Sequence, residues 1–300
     1  LKEVKDFKLI SSSQKNVDAK RIVTGAPLFG MDLQKEGMLI AMIVHPPAFG
    51  MTLKSVDSET AKAMPGIHDV VTIKSFKDGF EKGGFDTNAF PELVAIVGNS
   101  TWEVMQAKKK LNVEWQPASA FLETIAGFRG KETRNVPAGL ESTTVHNAQM
   151  EILAAKPGKI VRRDGNPEAA FKNAAKVLER SYSAPFLAHN SMEPLNAFAH
   201  VEGDKVNLPR MGGGFGRKGY AHFVVEAALI SQKVNAPIKL VYSREDDMTN
   251  GIYRPAYQAT YRAAFDENNN LTALHVKAGG VPESPLFANR FPAGSIDNYM

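Results

Sequence analysis

The feature that most constrains this chain is the run Met211-Gly212-Gly213-Gly214-Phe215-Gly216-Arg217, which places four glycines in five residues. Glycine loses more backbone entropy on ordering than any other residue, so such a run persists where the main chain must turn sharply or come close to something. From Tyr220 to Val234, Phe223, Val224, Ala227, Ala228 and Ile230 recur at helical spacing and predict a helix directly after the loop. A helix N-terminus presents unpaired N–H groups and a positive dipole end, which suits anionic or oxo-bearing ligands. Two local readings stay open. The run can be a structural turn that packs the helix onto a strand. It can also be a dinucleotide loop, because Gly214-Phe215-Gly216-Arg217-Lys218-Gly219 matches G-x-G-x-x-G and the next strand ends near Glu245. Against the second, the preceding Val206-Asn207-Leu208-Pro209-Arg210 is short and broken by Pro209. A Walker loop is excluded, since no Ser or Thr follows Lys218.

The rest of the chain reads as two α/β regions. Met38–Val44, Val70–Ile73 and Leu93–Val97 are buried-strand candidates, and Ser58 to Met64 is a short helix stopped by Pro65-Gly66. Ser100 with Glu103 forms a capping-box pattern ahead of Val104, Ala107 and Leu111. Residues 117–160 have weak periodicity and several Gly and Pro, which predicts a linker. Asn166-Pro167-Glu168 opens a helix whose apolar face runs through Ala170, Phe171 and Ala174 to Val177 and Leu178. Ile238–Tyr242 is a strand, and 257–265 with 271–278 forms a hairpin across the turn 266–270. The expected organisation is a leader over 1–20, a first domain over 21–116, the linker, and a second domain over 161–300.

Composition removes several function classes. There are 36 basic and 32 acidic residues in 300, for a net charge of +4, so no basic surface for nucleic acid is indicated. The dense cluster Lys108-Lys109-Lys110 reads as a solvated helix face. There is no cysteine, which excludes disulfides and cysteine-ligated clusters from this chain. The seven histidines show no zinc-site spacing, so no metal ligand is assigned. No apolar run approaches the ~20 residues that span a bilayer. The chain begins at Leu1 with no signal-peptide pattern, so removal of an earlier segment is expected.

Several segments, in order, carry a resemblance. Arg210-Met211-Gly212-Gly213-Gly214-Phe215-Gly216-Arg217 is similar to a signature of the xanthine dehydrogenase and aldehyde oxidase superfamily. Phe186–Ala197 resembles that family's His-x-x-Met-Glu-Pro segment through His189, Met192, Glu193 and Pro194. Ser243-Arg244-Glu245-Asp246-Asp247-Met248 resembles its Thr-Arg-Glu-Asp-Asp-Met box, and Gly251–Pro255 the stretch beside it. Gly25–Asp32, Met64–Ile67 and the ending Leu111–Trp115 resemble its a/b hammerhead domain. Within the superfamily the likeness is greatest to the beta subunits of isoquinoline 1-oxidoreductase-like enzymes.

The resemblance implies an α+β fold, with the hammerhead domain followed by part of the molybdenum-cofactor-binding domain. It implies a portion of a large subunit that hydroxylates N-heterocycles or oxidises aldehydes with water-derived oxygen. It implies a molybdenum–molybdopterin cofactor in its cytosine dinucleotide form, a separate small [2Fe-2S] subunit, and a c-type cytochrome as a further electron acceptor. A bacterial protein is implied, in the periplasm or the cytoplasm, with the resemblance favouring the periplasm. Carried over, Gly213, Gly214, Phe215, Gly216 and Arg217 contact the cofactor, and His189 and Glu193 are candidates to line the site. Each of the last two has a plainer role open, His189 as a hydrogen-bonded structural histidine and Glu193 as a turn-fixing acid. Arg244 to Asp247 reads as a helix start with surface ion pairs.

The chain departs from the family in three places. The family places several tens of residues, including a Thr-Gln pair, where Asn207-Leu208-Pro209 runs straight into the loop. Its catalytic glutamate lies beyond the position of Met300, so no catalytic residue is assigned and no turnover is expected from this chain by itself. Gly219 stands where purine-oxidising members have a glutamate, which counts against purine. A non-catalytic binding or scaffold module that keeps the fold without a complete cofactor is the alternative reading.

Overall fold

The structure is a computed structural model, and it describes residues 2–77, 80–83, 90–127, 130–136, 138–140, 142–202, 205–206, 213–250, 252–280 and 296–299. Met211, Gly212, Gly251 and the junction residues 207–210 lie outside them.

Four of the expected strands, together with Asn196–Ala199, assemble into one five-stranded mixed sheet. Its order is Asn196–Ala199, Ile238–Val241, Leu39–Val44, Glu92–Gly98, Ile67–Lys74. Leu39–Val44 and Ile238–Val241 run parallel, and the other neighbours are antiparallel. Its strands are apolar on both faces because both faces are covered. One face, with Ala41, Ile43, Leu93, Ala95, Val97, Ile238 and Leu240, packs on Phe223, Ala227 and Ile230 of the helix His222–Val234. The other, with Ile40, Met42, Val94 and Ile96, packs on Val104 and Ala107 of the helix Thr101–Lys108. Alternation along each strand sends successive side chains to these two cores. Two strands of this sheet come from the second expected domain and three from the first. The core on this sheet therefore draws on both sides of the expected boundary near residue 116.

The second sheet orders Lys176–Ala184, Tyr257–Phe265, Leu271–Gly280, Ile296–Tyr299 and Lys159–Arg163. Its hairpin has the expected turn. Asp266 Oδ1 accepts from the N–H groups of Asn268 and Asn270, and Asn269 takes the left-handed φ of +60° that Asn tolerates.

Two local expectations are corrected. The helix opened by Asn166 stops at Lys172, and Val177 and Leu178 belong to the strand Lys176–Ala184. Nine backbone partners on Tyr257–Phe265 outcompete a continued helix, and β-branched Val177 suits the strand. The cap itself is as expected, with Asn166 Oδ1 accepting from Ala169 N at 3.1 Å. The stretch 117–160 is not structureless. It holds the hairpin Phe121–Gly127 and Gly130–Val136 and the 13-residue helix Thr143–Ala155. Most of that helix is exposed, so its sequence lacks a strong apolar stripe.

Candidate functional site

The two parallel strands of the central sheet end side by side, one leading into His45 and the other into Tyr242. Carboxyl ends of parallel strands are where α/β sheets place their sites. The glycine loop reaches the same edge, because the helix that follows it packs on this sheet. The loop does not enter that helix directly. Arg217–Gly219 forms a 3₁₀ turn, Tyr220 is extended, and the helix begins at His222.

Glycine is required at two loop positions. At Gly216 φ is +97°, a conformation that L side chains rarely adopt. At Gly214 an added Cβ would lie 2.8 Å from Lys218 Cβ and 2.9 Å from its Cγ. Gly213, Gly216 and Gly219 have open space where a Cβ would go. Phe215 also has positive φ, +51°, and its ring is 69% exposed. A non-glycine residue held in this region while pointing outward stores strain of the kind that marks functional loops. The loop therefore shows bare main chain and one aromatic ring to the outside.

Its two cations turn inward. Arg217 is 1% exposed. Its Nε donates to Asp247 Oδ1 at 3.3 Å, Nη1 to the Ile252 carbonyl at 2.9 Å and Nη2 to the Asn250 carbonyl at 2.8 Å. Lys218 Nζ donates to Glu193 Oε2 at 2.6 Å, and Glu193 Oε1 accepts from Met31 N at 3.3 Å. Arg217 is thus placed as a clamp behind the loop, and Glu193 ties the loop to the Gly30–Asp32 turn. His189 lies by the same clamp. Partial burial, then the Arg254 and Arg217 charges, push its pKa down, while Asp247 and the Ile252 backbone act the other way. All seven residues expected from the sequence, Gly213 to Arg217 with His189 and Glu193, are gathered around this loop.

Behind the clamp lies a buried polar cluster that sequence reasoning missed. Tyr242 donates to Glu226 Oε2 at 2.5 Å, and His45 Nε2 lies 3.3 Å from the Tyr242 hydroxyl. His45 Nδ1 is 3.7 Å from Asp246 Oδ1, beyond hydrogen-bond reach. Burial keeps His45 neutral by pushing its pKa down. Lys108 Nζ donates to both Asp246 oxygens, at 2.8 and 2.7 Å. Burial works against the Asp246 charge, but His45 and Lys108 outweigh it and hold the carboxyl well below its usual range. Burial pushes Glu226 up to about 8 and His222 down to about 3. Both His222 nitrogens are buried with no hydrogen-bond partner among the described residues.

Two expectations are corrected by this cluster. Asp246 and Asp247 are buried, not surface acids, and Lys108 crosses 138 residues of sequence to reach Asp246. Ser243 does cap their helix, Arg244–Thr249, in a full capping box with Asp246. A signal for Glu226 was present. His222 and Glu226 are four residues apart, in phase with the buried Phe223, Ala227 and Ile230, so they fall on the core side of the helix.

Residues 205–279 match the family model described as "Molybdopterin cofactor-binding domain". The chain is 25% identical to the "Membrane-bound aldehyde dehydrogenase [pyrroloquinoline-quinone]" of Gluconacetobacter polyoxogenes, over 99% of this chain and 39% of the relative. It is 26% identical to "Isoquinoline 1-oxidoreductase subunit beta" of Brevundimonas diminuta, over 98% of this chain and 38% of the relative. Among solved structures it is similar to the aldehyde oxidoreductase from Desulfovibrio gigas, with a TM-score of 0.61 at 19% identity over 85% of this chain and 32% of that one. It is likewise similar to quinoline 2-oxidoreductase from Pseudomonas putida 86, with a TM-score of 0.61 at 18% identity over 96% and 44%. These structural likenesses establish the α+β fold of molybdenum-hydroxylase large subunits. The chain spans under two fifths of the length of the two curated relatives.

Proposed function

We propose that this chain is a portion of the large subunit of a molybdenum hydroxylase, and that its glycine loop forms one wall of a molybdopterin site. The observation that carries this reading is the loop itself, which shows outward main chain with open space over Gly213 and Gly216 while its cations are held behind it. Such a surface suits a large oxo- and phosphate-bearing group approached by backbone N–H groups. The residues present fit that group as a wall. Gly213, Gly214, Phe215 and Gly216 would line it, Arg217 would fix the loop from behind, and the Glu193–Lys218 pair would set the loop's inner edge.

When bound, the group supplies two-electron oxidation with oxygen taken from water. This chain's share is to bind and orient. Phe215 provides an aromatic face at the rim, and the Arg217–Asp247 pair holds the loop in place. Glu193 anchors the loop, its two oxygens accepting hydrogen bonds from Lys218 and Met31. The substrate reading is an N-heterocycle or an aldehyde, with electrons leaving through a separate [2Fe-2S] subunit and onward to a c-type cytochrome. The cofactor reading is the cytosine dinucleotide form, and the compartment reading is the bacterial periplasm. The names of curated relatives support the substrate reading and the presence of a further subunit. The [2Fe-2S] and cytochrome partners, the cytosine form and the compartment rest on the resemblance of the sequence motifs alone. The test is metal analysis of the protein purified with its co-expressed partner subunits, with released pterin identified by mass spectrometry. Near-stoichiometric molybdenum with a cytosine-bearing pterin is expected, and a folded complex without molybdenum would overturn the reading.

A further inference from the structure

Residues 188–194 run between two anchored points and form neither helix nor strand. Leu187 bridges Arg254 through backbone hydrogen bonds of 3.3 and 2.8 Å, and the Leu195 carbonyl accepts from Tyr242 N at 2.9 Å. Asn190 holds a left-handed φ of +49°, and Met192 is 94% exposed. A stretch outside the sheet ladders must find its polar partners on side chains or in water. Arg244 supplies them here. Its Nη1 donates to Asn190 Oδ1 at 3.1 Å and its Nη2 to the Met192 carbonyl at 2.9 Å. Nη1 also donates to Asp247 Oδ2 at 3.2 Å, while Asp247 Oδ1 accepts from Arg217 Nε at 3.3 Å. The Asp247 side chain is 1% exposed, so it is a buried carboxylate shared by two guanidiniums, one on each oxygen. The far end of the segment meets the loop directly, with Lys218 Nζ donating to Glu193 Oε2 at 2.6 Å. These contacts close a ring. It runs from Arg217 to Asp247, Arg244 and Met192, along the chain to Glu193, across to Lys218, and along the chain back to Arg217.

We propose that Arg244 is a positioning residue that fixes the segment 190–193 to the glycine loop, so that the backbone under Met192 and the backbone under Phe215 keep one relative position. The guanidinium suits the task. It is a planar cation with donors in fixed directions and spans three acceptors, whereas a lysine amine is a point charge on a flexible stem. Removing Arg244 frees the segment and takes from Asp247 one of the two cations that hold it. The loss then reaches the loop through Arg217, although the contacts of Arg244 are to Asn190, Met192 and Asp247. Contacts within one such network are coupled, so opening one link weakens the others. The bracing does not depend on what the loop binds. Its failure leaves the cofactor reading standing, and a complex without cofactor leaves the bracing standing.

Hydrogen–deuterium exchange of the full chain tests it. The loop has amides to report, because Arg217 N donates to the Gly214 carbonyl at 2.9 Å, Gly219 N to the Gly216 carbonyl at 3.0 Å and Tyr220 N to the Arg217 carbonyl at 3.3 Å. The strand Glu92–Gly98 serves as the internal control. In Arg244→Ala, protection of these loop amides is expected to fall roughly tenfold, within the range that couplings inside one network span, while the control strand holds. Arg244→Lys keeps a charge beside Asp247 but loses the fork, and is expected to stay close to the alanine variant. Asn190→Gly keeps the left-handed turn and removes one acceptor without touching a charge, and is expected to lower loop protection by a smaller factor, about twofold. Wild-type loop protection in Arg244→Ala overturns the proposal, as does a fall shared equally by the control strand. Full rescue by lysine also overturns it, since charge alone would then suffice. If Arg244→Ala does not fold, Asn190→Gly decides, and an unchanged loop in that variant overturns it.

Discussion

Gly214 and Asp247 show how narrowly single side chains define the loop. An alanine methyl at Gly214 meets Lys218 Cβ at 2.8 Å, and Lys218 cannot swing away without breaking its 2.6 Å bond to Glu193. Gly214→Ala is expected to cost about 1–3 kcal/mol by overpacking, measured as a lower urea midpoint with an unchanged slope. Asp247→Ala strands the Arg217 guanidinium in a buried site and is expected to cost about 3–5 kcal/mol. The pH dependence has a definite sign. Glu226 holds its proton more tightly in the fold than in the open chain. The stability it contributes is therefore complete below its ordinary pKa of 4.5 and is lost as pH rises towards about 8. His222 works in the other direction, losing stability as pH falls from its ordinary 6.5 towards about 3. Urea midpoints measured against pH are expected to carry this loss between about pH 4.5 and about pH 8 in the wild type, and Glu226→Gln to flatten it.

Among the elements, legibility followed locality. The glycine loop, the caps at Ser100 and Asn166 and the Asp266 turn were readable because each depends on neighbours within a few residues. Ser100 differs in detail from the expected reciprocal box. Its oxygen accepts from Glu103 N, but Glu103 accepts from the Ser100 hydroxyl and not from its backbone. The helix at 167–172 was overrun in the sequence reading because helical spacing continues through Val177, whereas pairing with a distant strand decides the outcome. The buried cluster was hidden for the same reason. His45 meets Tyr242 across 197 residues and Lys108 meets Asp246 across 138, and such residues look like surface charges in a linear chain. Loss of the Asn166 cap by Asn166→Ala is expected to cost about 1 kcal/mol.

At the scale of the molecule, the central sheet decides which parts fold together. The strands Asn196–Ala199 and Ile238–Val241 complete a sheet begun by Leu39–Val44, and the helix His222–Val234 covers one face of it. A fragment ending at residue 160 would leave Ala41, Ile43, Leu93, Ala95 and Val97 facing water. That fragment is expected to lack a cooperative unfolding transition, and a sharp transition would contradict the shared core. The same sheet brings His45, Tyr242 and the glycine loop to one edge, so the cofactor reading depends on this architecture as much as on the loop sequence. The central claim is that the loop's main chain is the cofactor-facing surface and that its left-handed turn sets the geometry. Gly216 and Gly219 both face open space, yet only Gly216 has positive φ. Molybdenum content of the co-purified complex is the direct measurement. Gly219→Ala is expected to keep the wild-type metal content and Gly216→Val to lose most of it while remaining folded. Equal molybdenum in the two variants would contradict the account.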